Sequence, residues 1–445
     1  MDRAYREIKC CRVCGHSQLV DILSLGEQYA VAFPDAGDEA AGVAAEDDAP
    51  SKAPLDLVLC PTEDGGCGLL QLRHTYDQER LYRRYWYRSG ISTTMVAALG
   101  DIVRCAVERR PVADGDWVLD IGANDGTLLA AYRRYAPAGV RRFGFEPSNL
   151  WRDGLASAEV VVNDYFSSAA WRRELGDARA GIITSIAMFY DLERPNDFVA
   201  DLRRCLADDG LWVLQMNDLG GMLEHDTFDN ISHEHLEYYS LFSLEKLLDR
   251  HDFRVVDIEG NDVNGASFRC YIRPAGFPGS ADDADGAARV EAWRRRERAL
   301  GLETRGAYER FAGRIAALRA RLRRELEAVR AEGGRVGIYG ASTRGLVALQ
   351  YVGVDRGLVD FAVDKNPEKW GRTIVGTGIP IRSIDAYRAD PPAALWVLPY
   401  HFKREIVLQE ADYLRAGGRM LFMLPHLDVV DAGRLAEFGL GPGAG

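Results

Sequence analysis

Short apolar runs separated by longer amphipathic segments dominate the central part of the chain. The runs are rich in Val, Ile, Leu and aromatic residues and lie at residues 117–121, 142–146, 160–164, 180–187 and 210–216. Runs of this length are typical of strands buried in a parallel sheet, and the segments between them, such as residues 95–112, predict helices. The alternation of strands and helices predicts a doubly wound α/β domain.

A second α/β unit is predicted in the last third of the chain. Residues 287–332 carry apolar side chains at three- and four-residue spacing, including Phe311, Ile315 and Leu322, which predicts one long helix. After this helix, further buried strands are predicted at residues 335–340, 358–363, 394–398 and 418–424. We therefore expect an α/β chain of three domains, at residues 1–73, 74–285 and 286–445.

The first central strand runs into a glycine turn that is typical of a ligand-binding loop. Its pattern is Asp120-x-Gly122-Ala-Asn124-Asp125-Gly126, which differs from the G-x-G-x-x-G of dinucleotide-binding proteins. Carboxylates repel a pyrophosphate but attract a sulfonium, an ammonium group and ribose hydroxyls. The turn therefore predicts S-adenosylmethionine as the ligand, bound around Asp120, Gly122, Asn124 and Gly126.

Polar side chains also follow the next strands of the predicted sheet. Glu146 is placed to accept hydrogen bonds from both ribose hydroxyls, and Asn163 and Asp164 are expected near the adenine edge. The alternative that these acids only cap helices or turns stays open, above all for Asp164. Active residues of such a sheet lie at the carboxyl ends of its strands. The last two strand ends bring Met188 to the cofactor and Tyr190 and Asn217 to the substrate.

The cysteines are concentrated near the N-terminus, where five of the eight lie within the first 67 residues. Cys11-Arg-Val-Cys14-Gly has the form of a zinc knuckle, and Cys60 and Cys67 supply a second pair. Four thiolates close a tetrahedral shell and leave no open position, so we expect a structural Zn²⁺. Two alternatives stay open: unrelated reduced cysteines, or Cys10 in place of Cys11.

Composition and charge exclude several classes of protein. With 47% hydrophobic and 27% charged residues over 445 positions, the chain is long and apolar enough for several globular cores. The net charge of -12 argues against nucleic-acid binding, which needs a basic face. No apolar run is long enough to span a bilayer and the first residues lack an apolar signal core. We therefore expect a cytoplasmic monomer or dimer with no membrane partner.

The densest group of titratable side chains is the segment Asp229-Asn-Ile-Ser232-His233-Glu234-His235-Leu-Glu237-Tyr238-Tyr239. An imidazole with a pKa near neutrality, oriented by Glu234 or Glu237, can remove a proton from a carbon next to a carbonyl. A metal site is an alternative, but the zinc-peptidase spacing H-E-x-x-H is absent. A structural role, in which the histidines form hydrogen bonds across a domain junction, is a further alternative.

Two other segments are candidates for substrate binding. Residues 76–90 are aromatic and basic, which predicts a helix and then a loop that lines a polar pocket and includes Tyr87; a surface helix is the alternative. In the C-terminal unit, the glycine turn at residues 340–345 carries Arg344 and hydroxyls but no acid, which suits phosphate. Further candidates for binding a diphosphate are Lys369, Arg372 and His401. The alternative is that these are surface side chains with no function.

Seven motifs occur in order along the chain: Cys11-x-x-Cys14, Tyr85-Trp-Tyr87-Arg-Ser-Gly90, Asp120-Ile-Gly-Ala-Asn-Asp-Gly126, Phe145-Glu146-Pro147, His233-Glu234-His235-Leu-x-Tyr-Tyr-Ser240, Asn261-Asp-Val-Asn-Gly265-x-Ser267 and Tyr339-Gly-Ala-Ser-x-Arg-Gly345. With these motifs the chain resembles the three-domain sugar C-methyltransferases that act on nucleotide-linked keto-deoxysugars in natural product biosynthesis. The resemblance spans nearly the whole chain. It implies a zinc-binding N-terminal domain, a central class I methyltransferase domain with a Rossmann-like fold, and a C-terminal Rossmann-like α/β domain that contacts the nucleotide sugar.

The resemblance also implies roles for individual residues. His235 is the base that takes the proton alpha to the keto group, and the resulting enolate carbon attacks the cofactor methyl. Tyr87 and His233 are expected to donate hydrogen bonds to the developing oxyanion, and Glu234 belongs to the same block. Residues of the matching motifs expected at the substrate are Tyr239 and Asn264.

Two departures from the family pattern bear on the substrate. The family tends to have a tyrosine before the His-Glu-His block and a histidine in the loop after the fourth strand, where this chain has Ser232 and Phe189-Tyr190. These differences change the hydrogen bonds around the sugar, with Ser232 as the candidate contact. Two other functions stay open: an O- or N-methyltransferase acting on a sugar or a small natural product, and an adaptor with a vestigial central site.

Overall fold

The computed structural model describes residues 4–30, 52–77, 79, 81, 88–278 and 283–440, and of residues 264, 283 and 343 only the backbone. Within these ranges the chain forms three packed units. The strands of the N-terminal unit are β1 (Tyr5–Glu7), β2 (Val20–Tyr29), β3 (Lys52–Leu59), β4 (Leu70–Leu72) and β5 (His74–Tyr76).

The central unit alternates helices and strands. Its elements are α1 (Thr93–Arg109), β6 (Trp117–Ile121), α2 (Thr127–Tyr135), β7 (Arg141–Phe145), α3 (Trp151–Gly154), β8 (Val160–Val162), α4 (Ser168–Leu175), β9 (Ala180–Ile186), α5 (Pro195–Cys205), β10 (Leu206–Asn217), α6 (Leu219–Glu224), β11 (Glu237–Tyr238), α7 (Leu241–Leu248), β12 (Phe253–Asn261) and β13 (Ser267–Pro274).

A long helical connector leads into the C-terminal unit. The elements from here on are α8 (Asp283–Leu300), α9 (Arg305–Ala331), β14 (Val336–Tyr339), α10 (Thr343–Val352), β15 (Phe361–Val363), β16 (Thr373–Ile374), β17 (Ile379–Arg382), α11 (Ile384–Ala389), β18 (Ala394–Val397), α12 (Lys403–Gln409), α13 (Ala411–Arg415), β19 (Arg419–Phe422) and β20 (Asp428–Val430).

The central sheet has seven strands in the order β12-β13-β10-β9-β6-β7-β8. Strands β8, β7, β6, β9 and β10 run parallel to one another. Strand β13 is antiparallel to β10, and β12 is antiparallel to β13. The chain order reverses between β6 and β9, and ligands of open α/β sheets bind at such a switch point, outside the carboxyl ends of the strands. The prediction of a doubly wound α/β domain is confirmed.

Local sequence explains the elements beside this switch point. All five residues of β6 are buried, as expected for an apolar strand covered on both faces. Helix α1 begins after Ser92, whose side chain accepts a hydrogen bond from the Met95 N–H. Residues at helical spacing on its buried face, such as Leu99, Ile102 and Val103, bring α1 onto α2 beside the sheet.

The N-terminal sheet contains one strand from the central unit. Strands β2, β3 and β4 are antiparallel, and β11 pairs with β4 so that Glu237 lies opposite Gln71 and Tyr238 opposite Leu70. The segment directly after the His-Glu-His block is therefore part of the N-terminal sheet. The domain boundaries after residues 73 and 285 stay predictions.

The C-terminal sheet also has seven strands, in the order β16-β17-β15-β14-β18-β19-β20. Its five inner strands are parallel, and the order reverses between β14 and β18. The single helix predicted over residues 287–332 was wrong, because α8 ends at Leu300 and α9 begins at Arg305. Gly301 between them has φ +77°, a left-handed conformation that ends a helix and that glycine adopts without strain.

The central and C-terminal units share an apolar interface. The buried side chains of α9, α10 and the C-terminal strands form one continuous cluster with residues of the central unit, including Phe228. The Phe228 ring lies 5.3 Å from the Tyr351 ring, measured between centroids. Among the residues described here, no helix has both the length and the apolar character to cross a membrane.

Candidate active site and metal centre

Four cysteines meet at one end of the N-terminal sheet. The sulfur atoms of Cys11, Cys14, Cys60 and Cys67 all lie within 4.8 Å of one another. Tetrahedral Zn–S bonds of about 2.3 Å place sulfurs about 3.8 Å apart, and the closest pairs here are at 3.4 and 3.5 Å. Cys10 is exposed and is not a member of the group.

The backbone around the second cysteine pair is shaped to the sulfur atoms. The Cys67 N–H donates to Cys60 Sγ at 3.3 Å. A Cβ at Gly66 would lie 2.5 Å from Cys60 Sγ, so a larger residue does not fit there. Four thiolates with backbone donors form a closed shell, and the prediction of a structural Zn²⁺ is confirmed.

The glycine turn after β6 forms the floor of the predicted cofactor site. Gly122, Asn124 and Gly126 all have positive φ, of +77°, +51° and +78°. A Cβ at Gly126 would lie 2.8 Å from the Gly154 Cα, so the turn packs against the backbone at the end of α3. These left-handed conformations are ones that glycine adopts without strain, which explains the glycines at both ends of the turn.

Glu146, at the end of β7, is held rigidly over this turn. Its Oε2 accepts from the Asn124 N–H at 2.7 Å, and its Oε1 accepts from the Ser148 N–H at 2.9 Å. Each carboxylate oxygen has a second lone pair, so two acceptors remain for a diol. This arrangement fits the ribose of S-adenosylmethionine.

Asp120 lies beneath the turn. It is 3% exposed, and the Thr184 hydroxyl on β9 donates to its Oδ1 at 2.6 Å. The pKa of Asp120 is raised to about 8, mainly by burial; the Thr184 hydrogen bond opposes this shift and the Glu146 charge adds to it. The sequence interpretation gave Asp120 an ionised carboxylate facing the cofactor. The structure instead places a buried, hydrogen-bonded acid there, and it adds Thr184, which sequence reasoning missed.

The remaining predicted cofactor residues lie at the rim of the site. The Asn163 side chain donates to the carbonyls of Glu146 and Ser148 at 2.9 and 3.1 Å, which ties the ends of β7 and β8 together. Asp164 is exposed and accepts from the following N–H. Met188 approaches the turn, since a Cβ at Gly122 would lie 3.2 Å from its Cγ. Their contacts with the cofactor stay predictions.

A small cleft lies beside the ends of β9 and β10. The structure brings four of the predicted residues to its wall, namely Tyr190, Asn217, His235 and Tyr239. The Tyr190 ring meets the His235 ring edge to face at a centroid distance of 4.5 Å. His235 and these neighbours therefore line one cleft next to the ends of β9 and β10.

His235 is oriented by a backbone carbonyl. Its Nδ1 lies 2.7 Å from the Asn230 oxygen, and because a carbonyl only accepts, Nδ1 carries the proton and Nε2 has a free lone pair. Burial lowers the pKa of His235 to about 4, the Asn230 carbonyl opposes this, and the Arg344 charge adds to the lowering. The imidazole is therefore neutral near pH 7, but the expectation of a pKa near neutrality is corrected, since burial makes the ring less basic than that. The sequence interpretation named Glu234 or Glu237 as the orienting group, and Asn230 was missed.

His233 does not lie at the cleft. Its Nε2 donates to the Ala53 carbonyl on β3 at 3.0 Å, and its ring lies 5.8 Å from the Tyr76 ring. Burial lowers the pKa of His233 to about 4, so it is neutral. The expectation that His233 donates to an oxyanion is corrected, because its N–H donates to the N-terminal sheet instead. For His233 the structure agrees with the alternative named above, a histidine that forms a hydrogen bond across a domain junction.

The other members of the block differ in their positions, since Glu237, Tyr238 and Tyr239 line the cleft whereas Ser232 and Glu234 do not. The Tyr239 hydroxyl donates a hydrogen bond to Glu237 Oε2 at 2.9 Å, so its proton is already bound by Glu237. Burial raises the pKa of Glu234. The Ser232 hydroxyl is buried, and no hydrogen-bond partner for it lies among the described residues.

Tyr87 lies outside the described residues. Ser89 and Gly90 just after it donate backbone N–H groups to the side chains of Asn124 and Asp125.

The glycine turn of the C-terminal unit meets the central unit close to His235. Arg344 forms an ion pair with Asp229 at 3.2 Å, and the Tyr400 hydroxyl donates to Asp229 at 3.4 Å. Burial raises the pKa of Asp229, while Arg344 opposes the shift. His401 packs on the residue 263–265 turn, since a Cβ at Gly265 would lie 2.6 Å from its Cε1. The predicted substrate residue Asn264 lies in this turn, and only its backbone is described.

His401 and Lys369 reach the same glycine turn from different sides. Burial and the Arg344 charge lower the pKa of His401 to about 4, so it offers a neutral N–H. Lys369 Nζ donates to the Ala341 carbonyl at 2.7 Å and to Asp364 at 3.0 Å. Arg372 follows in the same loop, and its N–H donates to the Lys369 carbonyl at 3.2 Å.

An acid does reach this second turn, contrary to the sequence interpretation. Asp364, directly after β15, accepts from the Ala341 N–H at 2.9 Å. Glu146 binds the Asn124 N–H in the same way in the central unit. The signal was present in the sequence, since both acids directly follow the second strand of their sheets. It was overlooked because the turn was interpreted alone.

Comparisons with known proteins cover all three units. Residues 11–82 match a family model described as a zinc binding domain, residues 99–258 one described as a methyltransferase domain, and residues 262–425 one described as a C-methyltransferase C-terminal domain. The C-methyltransferase NovU of Streptomyces niveus is 31% identical over 441 residues, which cover 97% of this chain and 99% of NovU.

Solved structures match about two fifths of the chain, and only distantly. CcbJ methyltransferase from Streptomyces caelestis is 14% identical, with a TM-score of 0.31 over 40% of this chain and 90% of its own. A complex of the Haloferax volcanii Trm112 methyltransferase activator and a methyltransferase gives 16% identity and a TM-score of 0.32, over 41% of this chain and 95% of that chain. Neither carries an argument about the site.

Proposed function

Because this chain belongs to the zinc-binding C-methyltransferase family, we propose that it methylates a carbon of a keto-deoxysugar linked to a nucleoside diphosphate, with His235 as general base. The chain is an S-adenosylmethionine-dependent methyltransferase, which separates it from an adaptor. The proposal adds the substrate class and the base to that activity. It rests on one observation: a neutral imidazole with a free Nε2 beside the cleft at the cofactor strands.

Carbon methylation needs a carbon nucleophile, and a carbonyl neighbour makes one accessible. His235 Nε2 takes the proton alpha to the keto group, and the electron pair left on carbon would form the new carbon–carbon bond while the sulfur–methyl bond of the cofactor breaks and its electron pair stays on sulfur. The Nδ1–H to Asn230 hydrogen bond at 2.7 Å keeps the ring in the tautomer that leaves Nε2 basic. Bound S-adenosylmethionine supplies an electrophilic methyl group. Glu146 and the backbone at Gly122, Asn124 and Gly126 are the groups proposed to hold it.

The proposed oxyanion and substrate contacts come from three parts of the chain. Tyr87 stays a predicted donor to the developing oxyanion, and Tyr190, Asn217 and Tyr239 line the cleft where the sugar would lie. Arg344 is proposed to bind the diphosphate, since a guanidinium pairs with phosphate oxygens and this one is close enough to shift the pKa of His235. Further proposed contacts to the nucleotide sugar are Ser232, Asn264, Lys369, Arg372 and His401.

Solvent exchange tests the proposal without methyl transfer. The purified protein is incubated in D₂O with a panel of nucleotide-linked keto-sugars, and the sugars are examined by mass spectrometry and NMR. We expect deuterium at the alpha carbon of the true substrate, and a methyl group at that carbon when S-adenosylmethionine is added. An O- or N-methyltransferase would methylate a panel member without any exchange. Methyl transfer to oxygen or nitrogen with no deuterium at carbon would disprove the proposal.

The pH dependence of turnover provides a further prediction. A base must be unprotonated, and the pKa of His235 is lowered to about 4. As pH falls, kcat/KM is therefore expected to stay constant through pH 6.5 and to decline only as the pH approaches 4. Circular dichroism at each pH checks that the protein stays folded. Because Arg344 adds to the lowering of this pKa, Arg344→Gln should move the decline to higher pH. A decline centred near 6.5 in the unmodified enzyme would contradict the assignment.

A further inference from the structure

The carbonyl that orients His235 belongs to a turn held from three directions. This turn, Phe228–Asn230, is a single 3-10 turn. The Phe228 side chain is fully buried against the C-terminal unit. Asp229 is 5% exposed and pairs with Arg344. The Asn230 side chain accepts from Asn217 Nδ2 at 3.2 Å. Two of the three anchors therefore come from the C-terminal unit.

We propose that Asp229 is a positioning residue: by binding Arg344 and Tyr400 it fixes the turn whose Asn230 carbonyl orients His235. The C-terminal unit then sets the direction of the base. This inference rests on the proposed function in so far as His235 is the base. It adds a residue that neither the His-Glu-His block nor the glycine turns contain.

The geometry supports a transmitted effect. The Asn230 carbonyl belongs to the peptide unit directly after the one that joins Asp229 to Asn230, so a shift of the backbone at Asp229 also shifts this carbonyl, which lies 2.7 Å from His235 Nδ1. The polar groups that face Asp229 are the Arg344 guanidinium at 3.2 Å and the Tyr400 hydroxyl at 3.4 Å. Those facing the His235 ring are the Asn230 carbonyl, the Tyr190 ring and the Arg344 charge.

The same contact links substrate binding to the base. Arg344 is proposed to bind the diphosphate, and it also holds Asp229. A diphosphate on Arg344 would therefore act on the turn that carries the Asn230 carbonyl. A truncated substrate without the diphosphate should then lose kcat as well as affinity, because remote binding energy is used for positioning.

The test compares Asp229→Asn with a matched control three residues away. Like Asp229, Asp226 is a buried aspartate that forms an ion pair with an arginine. Its partner is Arg314 of α9, at 2.8 Å. Asparagine tolerates the φ of +54° at that position. Both variants lose one carboxylate in a buried ion pair, but Asp226→Asn leaves the residues 228–230 turn intact. Melting temperature and calorimetric binding of S-adenosylmethionine report whether each variant is folded.

Nitrogen-15 NMR of labelled histidines reports the tautomer of His235 without substrate, and His235→Asn assigns its signal. In the parent protein and Asp226→Asn we expect the Nδ1–H tautomer. In Asp229→Asn we expect a mixture of tautomers and a fall of kcat of about 100-fold, the size of a misplacement of about 1 Å. If Asp229→Asn does not fold, Tyr400→Phe, which removes the other partner of Asp229, replaces it with the same expected direction.

The outcomes separate this inference from the proposed function. An unchanged tautomer in the folded variant overturns the positioning role, whatever happens to kcat. A tautomer mixture with a kcat within two-fold of Asp226→Asn supports positioning but overturns His235 as the base. A tautomer mixture together with the fall in kcat supports both.

Discussion

Replacing His235 by asparagine is expected to reduce kcat by about 10²–10⁴-fold, the usual contribution of a general base. The asparagine amide can still donate to the Asn230 carbonyl, which His235 Nδ1 contacts at 2.7 Å, but it offers no basic nitrogen. S-adenosylmethionine binding should stay within two-fold, because Glu146 and the glycine turn remain intact. Steady-state turnover with the identified keto-sugar and calorimetry with the cofactor measure the two effects.

His225→Asn is the matched control for this variant. The His225 Nδ1 also lies close to a backbone carbonyl, that of Gly221, at 3.0 Å, but His225 does not line the cleft. Its replacement should leave turnover close to that of the parent protein. Exchange of the alpha proton in D₂O should also be lost in His235→Asn and retained in His225→Asn. Normal exchange in His235→Asn would remove the base assignment.

Loss of the zinc ion is expected to abolish activity as well as the fold of the N-terminal unit. Structural Zn²⁺ in small domains contributes apparent binding free energies of about 10–16 kcal/mol at neutral pH, which is as large as the whole free energy of unfolding of a typical domain, about 5–15 kcal/mol. The N-terminal sheet contains β11, the strand directly after the His-Glu-His block. Cys60→Ser or treatment with a chelator should therefore disorder the wall of the cleft that includes Glu237 and Tyr238.

The measurements are zinc content by elemental mass spectrometry, near-ultraviolet circular dichroism and turnover, each before and after chelation. Cys10→Ser serves as the control, because Cys10 is exposed and lies outside the four-cysteine group. We expect it to keep stoichiometric zinc and full turnover. Zinc-free protein that melts at the same temperature and turns over at the same rate would show that the metal does not support the cleft.

The parts of the molecule that depend on local sequence were predicted well. The strand at 117–121, its glycine turn and the acid at Glu146 are contiguous or follow a fixed alternation of strand and helix. Their positions in a doubly wound sheet follow from topology rules that hold across many chains. The cysteine pairs were also recognisable, because zinc coordination needs a fixed number of thiolates at short spacing.

The errors concern contacts between residues far apart in the chain. The two histidines of the block are two positions apart but point to different units, His235 to the cleft and His233 to the Ala53 carbonyl. No spacing rule distinguishes them, because each ring is held by a different backbone carbonyl, that of Ala53 for His233 and that of Asn230 for His235. Asp120 was expected to face the cofactor as a carboxylate, and its burial with Thr184 depends on the register between β6 and β9.

The sequence by itself determined the fold class, the cofactor and the four-cysteine site, because each depends on local periodicity or on residue types at close spacing. Only the tertiary structure decided which imidazole serves the cleft, that Asn230 orients it, and that Asp229 and Arg344 join two units beside it. Packing of distant surfaces decides burial, and burial decides which polar groups pair and which protonation states they keep. That information is a property of the assembled fold.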